Sequence, residues 1–191
     1  MAFSVQEFRS TLQYDGARPN LFQVSMTFPT LTTTSALLTG QASGVGASQK
    51  FTFMCKTAQL PGSTVNMVPV FYFGRQLSFA GNRTFPEWTV TIINDEDFAV
   101  RKGFERWLNG INQHISNRRN SSFNNPSSYT ANAQVKQYGK TGNVIKQYDF
   151  IGMFPTELAP IDLDWASNDT IEEYTVTFQY QYWTDAQNGV A

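Results

Sequence analysis

Charge is scarce in these 191 residues: Asp, Glu, Lys and Arg together make up 15%, against about 25% in an ordinary soluble domain. The formal balance is −1, which removes the broad basic surface that electrostatic binding to nucleic acid requires. Arg118 and Arg119 form a local basic pair and no more. Cysteine is scarcer still. Cys55 is the only one, so no intrachain disulfide can form, and a lone thiol fits folding in a reducing cytosol. Long apolar runs are missing too: the longest, Val68–Phe73, contains Pro69 and is strand-sized, far below the roughly 18 residues of a membrane span. Met1–Ser10 has no apolar core of the secretory kind.

Groups that could converge on a reaction are equally thin. The single histidine, His114, lies in a polar stretch beside Asn112 and Gln113. With no second His or Cys nearby it reads as a surface residue rather than a zinc ligand. Cys55 alternates with Phe51 and Phe53, which fits a small buried hydrophobe better than a nucleophile. Asp162 and Asp164 share a face if their segment is extended, a spacing that can hold a cation or flank a sugar bond. No third ligand accompanies them, and such a pair beside a loop is ordinarily solvated. There is no phosphate-cradling glycine loop and no G-x-S-x-G elbow. The expectation is therefore no catalytic, cofactor-binding or metal residue, no cofactor, and no enzyme.

Aromatic residues are abundant, with sixteen Phe, eight Tyr and four Trp. Few charges combined with many aromatics suits a surface that associates with protein, and equally a well-filled core. Composition alone leaves both open.

The pattern along the chain is mostly that of strands in a single domain. Residues 1–19 read as an arm. Phe22, Val24, Met26 and Phe28 alternate with polar residues, the period-two signature of a half-buried strand, closed by Pro29. Residues 30–50, rich in Thr, Ser, Gly and Ala with Lys50 as their single charge, read as a long flexible loop. Phe51–Ala58 is a second predicted strand. Thr64–Tyr72 and Arg75–Ala80 form a hairpin about Gly74, with Pro69 marking an edge or a bulge. Trp88–Ile93 is another strand. One helix follows, with an N-cap at Asn94–Asp95 and an apolar stripe of Val100, Phe104, Trp107, Leu108 and Ile111, stopped by Gly110. Residues 112–130 read as a second loop, and Ala131–Tyr138 pairs with Asn143–Phe154 across Gly139–Gly142. Ala159–Trp165 is a linker or edge segment. The last strand is the plainest: Tyr174, Val176, Phe178, Tyr180 and Tyr182 alternate with Glu173, Thr175, Thr177, Gln179 and Gln181. It lacks the Lys, Pro or glycine bulge that protects an exposed edge.

Five segments stand in order along the chain: 17–24 (Ala-Arg-Pro-Asn-Leu-Phe-Gln-Val), Phe51–Lys56 with Leu60–Pro61, 80–85 followed by Trp88–Thr91 and Asn94–Asp95, Leu163–Asp164–Trp165 with Ser167–Asn168, and the closing Thr177–Trp183 region. Together they resemble the tail tube proteins of contractile-tailed, myovirus-type bacteriophages. The resemblance spans about residues 15–183. It implies a mainly β subunit of two packed antiparallel sheets, sandwich- or barrel-like, with one amphipathic helix, a fold shared with type VI secretion tubes.

It further implies homohexameric rings whose inner strands join into a β-barrel, stacked as a rigid virion tube assembled in the host cytoplasm. The implied partners are the tail sheath, the baseplate, the tape measure protein and the tail terminator, with DNA passing through the lumen without specific binding and no membrane contact. On that reading Thr175, Thr177, Gln179 and Gln181 are candidates for the channel lining; a face covered by a neighbouring subunit is the other reading. Loops 30–50 and 112–130 are longer than the family pattern, and the tail at 184–191 matches nothing in it. A type VI or bacteriocin-like tube, a baseplate initiator paralogue and, in another class, a β-sandwich binding module are the alternatives.

Overall fold

A computed structural model of the chain describes residues 4–12, 14, 16–29 and 44–186. The alternating segments fold as strands: β1 Phe22–Met26, β2 Cys55–Ala58, β3 Thr64–Tyr72, β4 Arg75–Thr84, β5 Trp88–Ile93, β6 Ala131–Tyr138, β7 Val144–Leu158, β8 Glu173–Gln179 and β9 Tyr182–Asp185. β3 and β4 pair only with each other, and the other seven are connected in the order β1-β6-β7-β8-β5-β2, with β9 also on β7. Every pairing is antiparallel.

The long strand β7 serves two layers. Its first part pairs with β6 and β9, and Phe154–Leu158 pairs with β8. One layer is thus β1, β6, β7 and β9; the other is β7, β8, β5 and β2. Between the two roles stands Gly152 at φ +66°, a left-handed conformation that glycine adopts without the steric cost of a Cβ.

The alternation marks many of the inward residues; it does not mark Phe150 or Met153 of β7, and Tyr182, which it does mark, is 46% exposed. Val24, Trp88, Val90, Phe150, Val176 and Phe178 are essentially inaccessible to solvent. Rings dominate the contact: Trp88 lies 4.5 Å from Phe150 and 5.7 Å from Phe178, centroid to centroid. Burying each such side chain contributes on the order of 1.5–3 kcal/mol. A helix closes the core. Ala99–Ile111 (α3) buries Val100, Phe104 and Trp107 as its stripe required, and Phe104 meets Phe28 at 4.9 Å and Phe178 at 5.7 Å.

Several boundaries differ from expectation. The helix begins at Ala99, and the residue before it, Phe98, is left-handed at φ 54°. Asp95 and Asp97 instead shape a preceding turn: the Phe98 amide donates to the Asp95 carbonyl and the Ala99 amide to Asp97 Oδ1. Gly110 lies inside the helix, buried, and the helix ends one residue later.

The 30–50 loop and the strand from Phe51 are corrected by a second helix, Gly44–Met54 (α2). Phe51 is fully buried while Phe53 is 80% exposed; a strand would have put both on one face with Cys55. Among its described side chains Ala47 and Phe51, four apart, are the buried ones. Residues 30–43 of that predicted loop lie outside the described residues, as do 187–191 of the predicted tail.

The arm carries a short helix, Val5–Thr11 (α1), whose Glu7 amide donates to Ser4 Oγ. The 112–130 segment holds a 3₁₀ turn at Ser121–Phe123 and one helical turn, Pro126–Tyr129 (α4). It is anchored by buried Phe123 and by the Trp107 indole N–H donating to the Tyr129 carbonyl at 2.6 Å. The last predicted strand is two strands, β8 and β9, on different layers. Nor is β8 an unprotected edge, because β5 and β7 pair on its two sides.

Candidate functional site

β8 lies between two neighbours, so its polar side belongs to a continuous surface. The register sets Thr57, Thr91 and Thr175 in one row across β2, β5 and β8. The next row holds Thr89, Thr177 and Glu157 across β5, β8 and β7. Thr89 and Thr177 bring their hydroxyl oxygens to 3.3 Å, and the Thr156 hydroxyl donates to the Thr177 carbonyl at 3.2 Å. Threonine fits here because its branched Cβ suits a pleated surface while its hydroxyl stays hydrated. In these four strand segments Lys56 is the single cation, and it is ion-paired with Glu173. The result is a small-residue, polar, nearly neutral face.

Thr175, Thr177 and Gln179 all sit on it, half-buried, opposite the core-facing Tyr174, Val176 and Phe178. Gln181 does not. It follows the end of β8 and is exposed, with its amide donating to the Ile151 carbonyl where β7 changes layer.

The second notable surface was legible as a hairpin but not as a projection. Among the described residues β3 and β4 pair with no third strand, and nearly every residue in them is exposed. Val68, Val70, Phe71, Leu77 and Phe79 are among the large apolar side chains left open. β4 runs to Thr84, past the expected Ala80, and Gly81 permits it: a Cβ there would lie 2.9 Å from the Asn66 carbonyl oxygen. The tip is Phe73–Gly74, both left-handed at φ 47° and 79°, the pattern of a two-residue primed turn.

The residues considered for chemistry stay apart. His114 is exposed and its backbone amide donates to Asn109 Oδ1. Cys55 is half-buried, its thiol facing the Thr57 carbonyl at 3.5 Å, and burial pushes its pKa up to about 12. Asp162 and Asp164 belong to a stretch with no strand; Asp164 Oδ1 accepts the Ala166 amide and its carbonyl accepts Ser167. Among the described residues no group of three or more His, Cys, Asp or Glu is placed to hold a metal ion. No helix among them is long and apolar enough to cross a membrane.

The two surfaces this fold builds are a polar sheet face and an apolar hairpin. Residues 17–186 match the model of the phage tail tube protein family. The chain belongs to that family. The tail tube protein gp19 of Enterobacteria phage T4 is 34% identical over 173 residues, covering 88% of this chain and 91% of gp19. The gp19 of phage T6 matches to the same extent. The tail tube protein of Serratia phage KSP90 is 25% identical over 179 residues, covering 93% and 94%. Among solved structures, a chain of the sheath–tube complex of the PVC extracellular contractile injection system superposes with a TM-score of 0.55. The two share 14% identity over 96% of this tail tube protein and 98% of that chain, a likeness of fold.

Proposed function

We propose that six copies of this tail tube protein close into a ring with the threonine face turned inward, and that stacked rings conduct the phage genome during ejection. The role is structural and non-catalytic. One observation carries the reading: the face formed by β2, β5, β8 and the end of β7 is broad, polar and almost free of cations. A channel for DNA must not hold phosphates, and each Lys or Arg facing the lumen would bind one by releasing a condensed counterion. Threonine hydroxyls offer water-like contacts without that attraction. Thr175, Thr177 and Gln179 line the channel on this reading, together with Thr89 and Thr91, while Gln181 sits at its margin. The partners of the tube on this reading are the contractile sheath, the baseplate, a tape measure protein and a tail terminator. The 34% identity to the T4 and T6 proteins favours DNA cargo over the protein cargo of other injection systems.

The test places Thr177→Lys and Gln179→Lys in phage particles. Tubes of normal appearance with slowed DNA ejection are expected. Unchanged ejection kinetics, or a tube reconstruction showing this face packed against protein, would overturn the assignment.

A further inference from the structure

The β3–β4 hairpin and the segment between β7 and β8 lie at opposite ends of the same layer. The hairpin leaves and re-enters beside Ala58 and Trp88, where β2 ends and β5 begins. The 159–172 segment joins β8 at the other end, where Ile93 pairs with Glu173 and the Asn94 amide donates to the Glu172 carbonyl at 2.8 Å. Five residue steps of β5 separate the ends, roughly 17 Å.

Both ends expose apolar side chains that nothing among the described residues covers. At the hairpin tip Phe73 is 92% exposed, with Tyr72 edge-on to it at 4.5 Å. Phe73 also holds a left-handed backbone, a conformation suited to Asn or Gly, so local strain is spent on presenting an aromatic ring. At the far end Leu163, Trp165 and Ile171 stand open. The charges are opposite in sign. Every charged residue of 64–84 is an arginine, Arg75 and Arg83, and every charged residue of 159–172 is acidic, Asp162, Asp164, Asp169 and Glu172. Neither arginine makes an ion pair among the described residues.

We infer that the apolar, cationic hairpin of one copy seats against the acidic Leu163–Trp165 loop of a copy in the next ring. Complementary patches at opposite ends of one subunit form a heterologous contact, which stacks copies head to tail rather than closing a pair. The buried aromatics provide the attraction, and the Arg–Asp pairing fixes register and excludes the reversed stack. The inference rests on the tube reading and names the contact that joins its rings.

A photocrosslinking phenylalanine analogue at position 73, in tubes assembled from otherwise unaltered chain, gives the direct test. The expected product links position 73 to residues 161–171 of another copy. Crosslinks that map to any other surface, including another protein of the particle, overturn the inference while leaving the tube intact; absence of tubes from unaltered chain would instead defeat the tube reading. A charge exchange supplies the second measurement. Arg75→Glu and Asp162→Lys should each raise the concentration needed for polymerisation about tenfold, and the two combined in one chain should restore most of the loss. A combination as impaired as the two single losses together overturns the pairing, and the crosslink decides the matter should a variant not fold.

Discussion

A Cβ placed on Gly152 would sit 2.8 Å from Cγ of Gln181, at the point where β7 passes from one layer to the other. Two effects meet there: a left-handed backbone at φ +66° and a side chain crossing above it. Gly152→Ala should destabilise the subunit by about 1–3 kcal/mol, mostly through the backbone. Because Gln181 is long and flexible, Gly152→Ala combined with Gln181→Ala should recover only a minor part. Urea unfolding of the three variants measures this; full recovery in the combination would make the clash, not the backbone, the cause.

Phe104 touches Phe28, Phe51, Trp107 and Phe178, joining α3 to the second layer. Phe104→Ala should cost about 3–5 kcal/mol, since the removed ring leaves a cavity among rigid neighbours. The midpoint of chemical denaturation reports it. A loss below about 1 kcal/mol would show that the helix repacks freely.

Acid should act through Asp97. The Lys50 ammonium bonded to it and the Ala99 amide hold its carboxyl below the usual range. A depressed folded pKa contributes stability that is present above about pH 3.9, the unfolded value, and is lost as pH falls through the folded one. Asp97→Asn should flatten the stability profile below about pH 4 and leave its slope at pH 6–8 unchanged. Stability profiles that run parallel below pH 4 would exclude the effect.

At the alkaline end the sign reverses. Lys50 is raised by hydrogen bonds to Asp95 and Asp97, Lys146 by its bond to Asp185, and the Tyr174 and Tyr180 phenols by burial. Raised groups contribute stability that is complete below their unfolded values, near pH 10, and is lost as pH rises through the folded ones. Tyr174→Phe should therefore soften the alkaline transition, and it also removes a buried hydroxyl that has no hydrogen-bond partner among the described residues. Absorbance titration of the phenols follows it directly.

Cys55, with its pKa near 12, should react with iodoacetamide at pH 8 roughly three orders of magnitude more slowly than a free thiol of pKa about 8.5. Labelling in denaturant should restore the ordinary rate. Rapid labelling of the native subunit would mean that β2 opens readily where its register against β5 shifts between Cys55 and Thr57.

Strands were readable where one face is buried, because period two survives every local disturbance: Trp88, Val90 and Ile92 point inward as written. The same rule misled at Phe51–Thr52–Phe53, three residues of a helix whose inward positions, Ala47 and Phe51, are four apart. Tertiary packing overrode a weak local preference there. The alternation from Tyr174 to Tyr182 hid the passage between layers, since nothing in the periodicity records that β9 pairs with a different part of β7 than β8 does. The polar face was visible residue by residue on β8, but the threonines of β2 and β5 joined it only through register. The hairpin was legible as a turn with flanking strands, while its isolation depends on the absence of a third strand, which no local pattern encodes.

In the head-to-tail contact proposed above, the placement of hairpin and acidic loop at opposite ends bears on how long a polymer of this subunit grows. Adding a copy that presents the same two surfaces leaves the growing end chemically identical to the one before. Such a chain has no counter: copy number ten and copy number one hundred are equivalent to the next arrival. Grown alone, these polymers should show a broad, roughly exponential spread of lengths. A uniform length therefore requires a ruler that is not part of the subunit.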